Sequence, residues 1–338
     1  MKTKMLLAGV TAGVMFAGSV LASTLDDVRA RGKLNCIINT GLAGFAAPDD
    51  KGKWTGFDVD FCRAVAAATL GDADKVNYTT ATGKTRFTKL AAGEGEILSR
   101  NTTWTFSRDV DLSQTFVGVS YYDGQGFMVP KALGVKSAKG LDGASVCIQT
   151  GTTTELNLAE FFAGNGMKYN PVPIETNAEA QELYKAGRCD VYTTDASGLY
   201  ATMSSFDKPG DHMVLPEIVS KEPLGPSVRG NDSEWADVVR WSLNAMIIAE
   251  EKGITSGNVD DMIANSPDPE TQRLLGVKAG YGAWLGLSDD WAANIIRQVG
   301  NYSESFEKHI GVNTPINIAR GLNALYKDGG ILYAPPFR

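Results

Sequence analysis

The residues best equipped for chemistry lie in one run, Ser99-Arg100-Asn101-Thr102-Thr103-Trp104-Thr105-Phe106-Ser107-Arg108. Two arginines, an amide and several hydroxyls within ten residues make a set of donors suited to an anion. Guanidinium grips a carboxylate best, through two parallel hydrogen bonds. A second run, Gln149-Thr150-Gly151-Thr152-Thr153, opens a helix, where free backbone N–H groups attract negative charge. In a third, Asp190-Val191-Tyr192-Thr193-Thr194-Asp195-Ala196, a strand ends on a carboxylate that suits a cation or caps the next helix. Plain structural roles compete at each place. Arg108 has Asp109 and Asp111 as surface partners, and Thr152 and Asp195 both stand where N-caps are expected. No run supplies a nucleophile with its base: the two histidines, His212 and His309, fall in no predicted cleft, and no Ser-His-Asp arrangement or metal cluster is present in the sequence. The chemistry on offer is recognition.

Alternating strand and helix patterns must hold these runs in place, which is the grammar of a parallel sheet covered by helices. Strands are expected over Leu34–Asn39, Lys75–Thr80 and Glu96–Ser99, with helices over Asp58–Leu70 and Arg86–Ala92. The same grammar restarts after residue 130. Strands fall at Ser145–Gln149, Tyr169–Ile174, Cys189–Thr194 and His212–Leu215, with helices at Thr153–Asn165, Asn177–Ala186 and Ala196–Ser204. The first run thus follows a parallel strand at its carboxyl end, where open α/β sheets bind ligands. Between the units lie two extended stretches, Gly118–Pro130 and Pro216–Val228, as a hinge of two crossing strands requires. Beyond them the pattern is helical over Ser233–Glu251, Asp268–Leu275, Asp289–His309 and Pro315–Asp328. The expected organisation is an export signal over 1–22, a first lobe over 23–127, a second over 128–223, and a return to the first lobe with a helical C-terminal extension over 224–338.

Lys2 and Lys4 precede an uncharged, mostly apolar stretch from Met5 to Val20, and Val20-Leu21-Ala22 offers small residues for cleavage before Ser23, the layout of a secretory signal. No other stretch approaches the length of a transmembrane helix. A net charge of −7 without basic clusters makes nucleic acid and anionic membrane poor partners. Four cysteines behind an export signal favour disulfides over free thiols. Three connectivities are possible; Cys36–Cys62 with Cys147–Cys189 is favoured, because each pair falls in a separate βα segment.

Gly56-Phe57-Asp58-Val59-Asp60-Phe61 reads physically as a helix amino terminus whose carboxylates suit the dipole. It also resembles the signature of family 3 extracellular solute-binding proteins. Thr103-Trp104-Thr105-Phe106-Ser107-Arg108 fits that family's Thr-x-Thr-x-x-Arg pattern after the third strand, and the Gly151-Thr152 and Asp195 runs continue the match in order over nearly the whole chain. The resemblance implies a two-lobed, type II (Venus-flytrap) periplasmic binding protein of the α/β class that serves a polar amino acid ABC importer. It implies that Arg108 clamps the α-carboxylate of an L-amino acid, that the helix start at Gly151 and Thr152 suits the same carboxylate, and that Thr103 contacts the amino acid too. Asp195 would take the α-ammonium, with Asn101 and Thr103 as neutral acceptors. Phe45 is expected to cover an aliphatic stem of the ligand. Arg86 and Arg100 either meet a polar or acidic side chain or face solvent; pointing inward, they favour acidic and amide ligands. Partners are then the ligand and the importer's membrane permease, with no cofactor and a monomeric state expected. Lyases and dehydratases on the same fold, and delivery to a chemoreceptor, are the alternatives. One departure is Gly95-Glu96, where the family carries an apolar residue and Asp; glycine at a strand entry weakens it.

Overall fold

The computed structural model describes residues 23–338; the export signal expected over 1–22 lies outside the described residues. Helix α1 (Thr24–Arg31) starts at Ser23, whose hydroxyl accepts from Asp26 N, and stops at left-handed Gly32. Strand β1 (Leu34–Asn39) leads through the short hairpin β2 (Ala47–Pro48) and β3 (Trp54–Thr55) to α2 (Phe57–Leu70), then β4 (Val76–Ala81), α3 (Arg86–Ala91) and β5 (Ile97–Leu98). A single π-helical turn, Ser107–Asp111, precedes β6 (Gln114–Phe116). Next come β7 (Tyr121–Asp123), β8 (Gln125–Pro130), β9 (Ser145–Gln149), α4 (Thr153–Gly164), β10 (Asn170–Ile174) and α5 (Asn177–Lys185). They are followed by β11 (Val191–Asp195), α6 (Ala196–Ser204), β12 (His212–Val214), β13 (Glu222–Leu224) and β14 (Ser227–Arg229). The rest is helical: α7 (Ser233–Glu251), α8 (Val259–Asn265), α9 (Pro269–Leu274), α10 (Trp291–Gln298) and α11 (Tyr302–His309).

Two five-stranded sheets result. The first has the order β4-β1-β5-β14-β6 and the second β10-β9-β11-β8-β12. In each, the strands joined by helices run parallel (β1 with β4 and β5, β9 with β10 and β11), and the strands belonging to the crossings are antiparallel. Parallel strands buried on both faces need an apolar run, and β1 and β9 supply it in Cys36-Ile37-Ile38 and Val146-Cys147-Ile148. The chain passes between sheets through β7 and β8 and returns through β13 and β14, and β7 pairs antiparallel with β13. The two extended stretches are therefore one hydrogen-bonded ribbon. Because every parallel strand runs toward the other sheet's strand ends, the loops after β1, β4 and β5 face those after β9 and β11.

The main core joins the first sheet to the C-terminal helices: α2 packs against α7, α10 and α11. Phe306 and Ile295 are fully buried there, each stabilising by about 1.5–3 kcal/mol. Trp235 at the start of α7 donates its ring N–H to Glu96 O at 3.0 Å. Gly95 is no weakness at the strand entry. A Cβ there would approach Ile37 Cγ1 to 2.7 Å, so the close approach of the two segments demands glycine.

Two expectations for the C-terminal region fail. The helix expected over Asp289–His309 is two helices, because Gly300 takes φ 98° and Asn301 and Glu304 form a reciprocal capping box that starts α11. Pro315–Asp328 is not a helix. Asn317 is left-handed (φ 56°), and only two 3-10 turns, Gly321–Asn323 and Tyr326–Asp328, occur there. Short α8, which carries no strong apolar stripe, was not anticipated.

Candidate functional site

A cavity lies between the facing strand ends, walled by Arg86, Arg100, Asn101 and Thr103 on one side and by Gln149, Thr152, Thr153, Thr154, Thr194 and Asp195 on the other. Its volume is about 10 Å³, the space of about one water. The two sides touch. Asn101 Nδ2 donates to Asp195 Oδ2 at 3.1 Å, the Thr103 and Thr153 hydroxyls lie 3.2 Å apart, and Asn177 Nδ2 donates to Asn39 Oδ1 at 3.2 Å and to Gly41 O at 3.3 Å. The lobes are closed.

Three arginines converge on this place. Arg86, the first residue of α3, and Arg100, just after β5, are each 2% exposed. Arg86 Nη1 reaches Thr102 Oγ1 at 3.3 Å and Arg100 Nε donates to Ala81 O at 3.0 Å. Arg86 Nε and Arg100 Nη2 have no partner. Burial depresses both guanidinium pKa values, that of Arg86 well below its ordinary value with the charges of Arg100 and Arg108 adding to the effect, and that of Arg100 to about 10. Arg108, on the π-helical turn, donates from Nη1 to Thr103 O at 2.8 Å. Its guanidinium carbon stands 5.2 Å from the Phe87 ring centre, with that of Arg86 at 4.9 Å. Burial lowers its pKa to about 10, against the opposing charges of Glu222 and Asp195.

Asp195 is the N-cap of α6, yet its side chain makes no capping hydrogen bond. Its carboxylate instead faces the cavity and Asn101. Burial, then the nearby charges of Asp123 and Glu222, push its pKa well up, with Asn101 and Arg86 opposing. Asn101 is held in a left-handed backbone (φ 27°), which is strained for any residue with a Cβ. Three bonds hold it there: its N–H to Asp58 Oδ2 at 3.0 Å, its Oδ1 from Asn39 Nδ2 at 3.0 Å, and its Nδ2 to Asp195. Asp58 therefore braces the loop rather than capping α2, whose N-cap is Gly56 without any side-chain bond. Asp60 likewise turns away from the helix end, pairing with His309 Nε2 at 2.8 Å and Arg63 at 3.0 Å. Against the upward push of burial, those partners and Lys308 hold its pKa down to about 2.

Of the residues singled out in the sequence, Arg86, Arg100, Asn101, Thr103, Thr152 and Asp195 come together around the cavity. Both Arg86 and Arg100 point inward. Arg108 sits behind Thr103 and is not part of the wall. Thr152 caps α4, accepting from Glu155 N and donating to Gln149 O at 2.7 Å. Gly151 lies at the rim, left-handed, where a Cβ would come 3.1 Å from Lys84 Cα of the opposite lobe. Phe45 does not line the cavity: it is 1% exposed, packed edge-on to Tyr121 and Phe57 in the main core, because the loop after β1 folds back onto α2. Gln149, Thr153, Thr154, Thr194 and the buried Glu222 were missed. Gln149, Thr153 and Thr194 lay inside the runs already singled out, and nothing in the local sequence marked Glu222.

The four cysteines pair within the lobes, Cys36 with Cys62 (Cα–Cα 6.2 Å) and Cys147 with Cys189 (5.5 Å). Among the described residues no cluster could hold a metal ion and no helix is long and apolar enough to cross a membrane.

Two α/β lobes joined by a paired ribbon, closing over a cleft of arginines and a carboxylate, define a two-lobed periplasmic binding protein fold. Residues 34–311 match the bacterial extracellular solute-binding proteins, family 3, and the chain belongs to that family. Over the full length of both chains it is 56% identical to the general L-amino acid-binding periplasmic protein AapJ of Rhizobium johnstonii. It is 55% identical, again over all of both chains, to the glutamate/glutamine/aspartate/asparagine-binding protein BztA of Rhodobacter capsulatus. Among solved structures, a periplasmic binding protein from Brucella ovis with glutathione bound shares 54% identity at a TM-score of 0.91, covering 94% of this chain and 100% of that one.

Proposed function

We propose that this chain is the periplasmic binding component of an ABC importer, and that it captures L-amino acids without altering them. The amino terminus of α4 at Thr152 and, once the lobes open, Arg108 from behind Thr103 take the α-carboxylate, and Asp195 with Asn101 and Thr103 takes the α-ammonium. Arg86 and Arg100 meet an acidic or amide side chain. The observation that carries this reading is the pair of unpartnered guanidinium nitrogens, Arg86 Nε and Arg100 Nη2, in one closed cavity with the carboxylate of Asp195. Buried donors without partners are rare, and a zwitterion with an acidic or amide side chain offers what both they and Asp195 lack. The relatives named for amino acids and for glutamate, glutamine, aspartate and asparagine support the same ligand class.

The closed cavity is too small for such a ligand, so the lobes, 23–127 with 224–338 against 128–223, open at the β7–β13 ribbon to admit it and close around it. The closed form is then what the permease recognises. The chain acts as a monomer. The reading is tested by calorimetry on the mature protein with a panel of L-amino acids and their α-amides. Several L-amino acids compete for one site, the amides bind poorly because Arg108 has no anion to hold, and chromatography returns every ligand unchanged. Arg108→Ala weakens binding by about 2–5 kcal/mol, as for truncation of one member of a buried charged pair. Turnover of any ligand, or amides binding as well as acids, overturns the proposal.

A further inference from the structure

One buried carboxylate behind the wall of the cavity has no part in the clamp just described. Glu222, the first residue of β13 on the returning crossing, is 1% exposed. Its Oε2 accepts from the Thr103 hydroxyl and from Thr153 Oγ1 at 3.0 Å. Its Oε1 accepts from Asn157 Nδ2 at 2.7 Å and from Ser220 Oγ at 2.6 Å. Four donors on two oxygens fill the lone-pair sites of a carboxylate. The donors come from everything that meets here: the binding loop of the first lobe, helix α4 of the second, and the hinge.

The consequence lies in the direction of two protons. A threonine hydroxyl has one hydrogen to give. Thr103 and Thr153 both line the cavity, one from each lobe, and both give that hydrogen to the same oxygen of Glu222. What each turns toward the cavity is therefore lone pairs only. The two hydroxyls stand as neutral acceptors in the same cavity as Asp195 and the Asn101 side chain, and the group such a set matches is one with donors and no acceptor, an ammonium. Without Glu222 both hydroxyls are free to rotate and donate into the cleft, where they serve an ammonium no better than a hydroxyl or a carboxylate.

We infer that Glu222 is a positioning residue that sets the polarity of the ligand site, fixing Thr103 and Thr153 as acceptors and so selecting ligands that carry a free α-ammonium over their deaminated analogues. This rests on the amino acid reading of the cleft. It adds to that reading a selectivity device, built into the hinge, that the two lobes share only when closed.

The test compares L-glutamate with glutarate, the same dicarboxylate lacking the amine, by calorimetry on the wild-type protein and on Glu222→Met and Glu222→Gln, with thermal melts alongside. Met fills the space but accepts nothing. Gln still offers one carbonyl oxygen to both hydroxyls and is the conservative rescue. The expected result is that the preference for glutamate over glutarate falls at least tenfold in Glu222→Met and stays within threefold of wild type in Glu222→Gln. A merely structural role weakens both ligands by one common factor and leaves their ratio unchanged, and that result overturns the inference, as does an unchanged ratio without any loss. Should Glu222→Met fail to fold, Thr153→Val removes one of the two acceptors directly. A selective loss of glutamate supports the inference, and an unchanged ratio overturns it. Failure of the underlying reading is recognised separately, by wild-type protein that binds no amino acid at all.

Discussion

Asp58→Asn isolates the cost of one buried charge beneath the binding loop. Asp58 lies in the first turn of α2, buried, with Oδ2 accepting from Asn101 N at 3.0 Å. Burial is the dominant influence on it. Despite the bond from Asn101 and the charge of Arg100, its pKa is pushed up from 3.8 to about 7. The folded protein thus holds this proton more tightly than the unfolded chain does. Its stabilising contribution is fully present below about pH 4 and is lost as pH rises through about 7. At about 1.4 kcal/mol per pH unit, the gap between those values amounts to about 4 kcal/mol. Asparagine copies the protonated acid: it accepts from Asn101 N in the same place and never ionises. Urea unfolding of both proteins at pH 4, 6 and 8 is the assay. The variant should match wild type at pH 4, pull ahead at pH 6, and be more stable by about 4 kcal/mol at pH 8. Asp123 and Asp195, also raised by burial, are common to both proteins and cancel in the difference. A gap that does not change with pH, or a wild type more stable than the variant at pH 8, refutes the reasoning.

Arg100→Met removes a buried guanidinium that makes a single hydrogen bond, to Ala81 O, and leaves Nη2 unpartnered. Its affinity for L-glutamate should fall at least tenfold by calorimetry, while that for L-alanine stays within threefold. Equal losses for both would show that Arg100 does not meet the ligand's side chain. Alkylation of the non-reduced protein followed by intact-mass analysis should find no free thiol. Removing the crosslinks one pair at a time should cost about 3.5 kcal/mol for Cys36–Cys62 and about 4 kcal/mol for Cys147–Cys189 in denaturant titrations, from loop lengths of 26 and 42 residues; four labelled thiols would refute both bonds.

The lobes were legible because their apolar patterns are local and unbroken. Leu34–Asn39 and Ser145–Gln149 are strands in sequence and in structure alike, and α7 begins and ends where its apolar period does. The C-terminal region was less legible, because there the period carries across a break. The apolar pattern of α10 and α11 continues through Gly300, and only the positive φ at that glycine, with the Asn301–Glu304 box behind it, reveals two helices. Between Pro315 and Asp328 the apolar residues Ile316, Ile318, Leu322 and Leu325 mimic helical spacing, yet Ile316 and Leu325 are the buried ones and the backbone between them is irregular. In the site, residues on short runs after parallel strands were legible: Asn101, Thr103 and Asp195 stand where strand ends put them. Glu222 was not, because its partners Thr103, Thr153 and Asn157 are far from it in sequence and only the return of the chain through the ribbon brings them within reach.

The closed cleft also explains why a ligand should drive closure. Polar contacts such as those between Asn101 and Asp195 and between Asn177 and Asn39 are worth about 0.5–1.5 kcal/mol each after desolvation. Against them stand Arg86 and Arg100, each with a buried donor nitrogen that has no partner, at about 1–3 kcal/mol for each unsatisfied group and more where it is charged. The two sums are of similar size, so closure without a partner for the arginines has little driving force. A ligand carboxylate or amide pairing with them would cancel the cost in the closed state, and in the opened form proposed above water would satisfy the same groups. That difference between the two states is what a ligand must have in order to shift the equilibrium. On the proposed reading, an arginine pair left partly unsatisfied is the part of the cleft that would couple binding to hinge motion. Arg100→Met should therefore weaken acidic ligands and at the same time let the lobes close more readily without them.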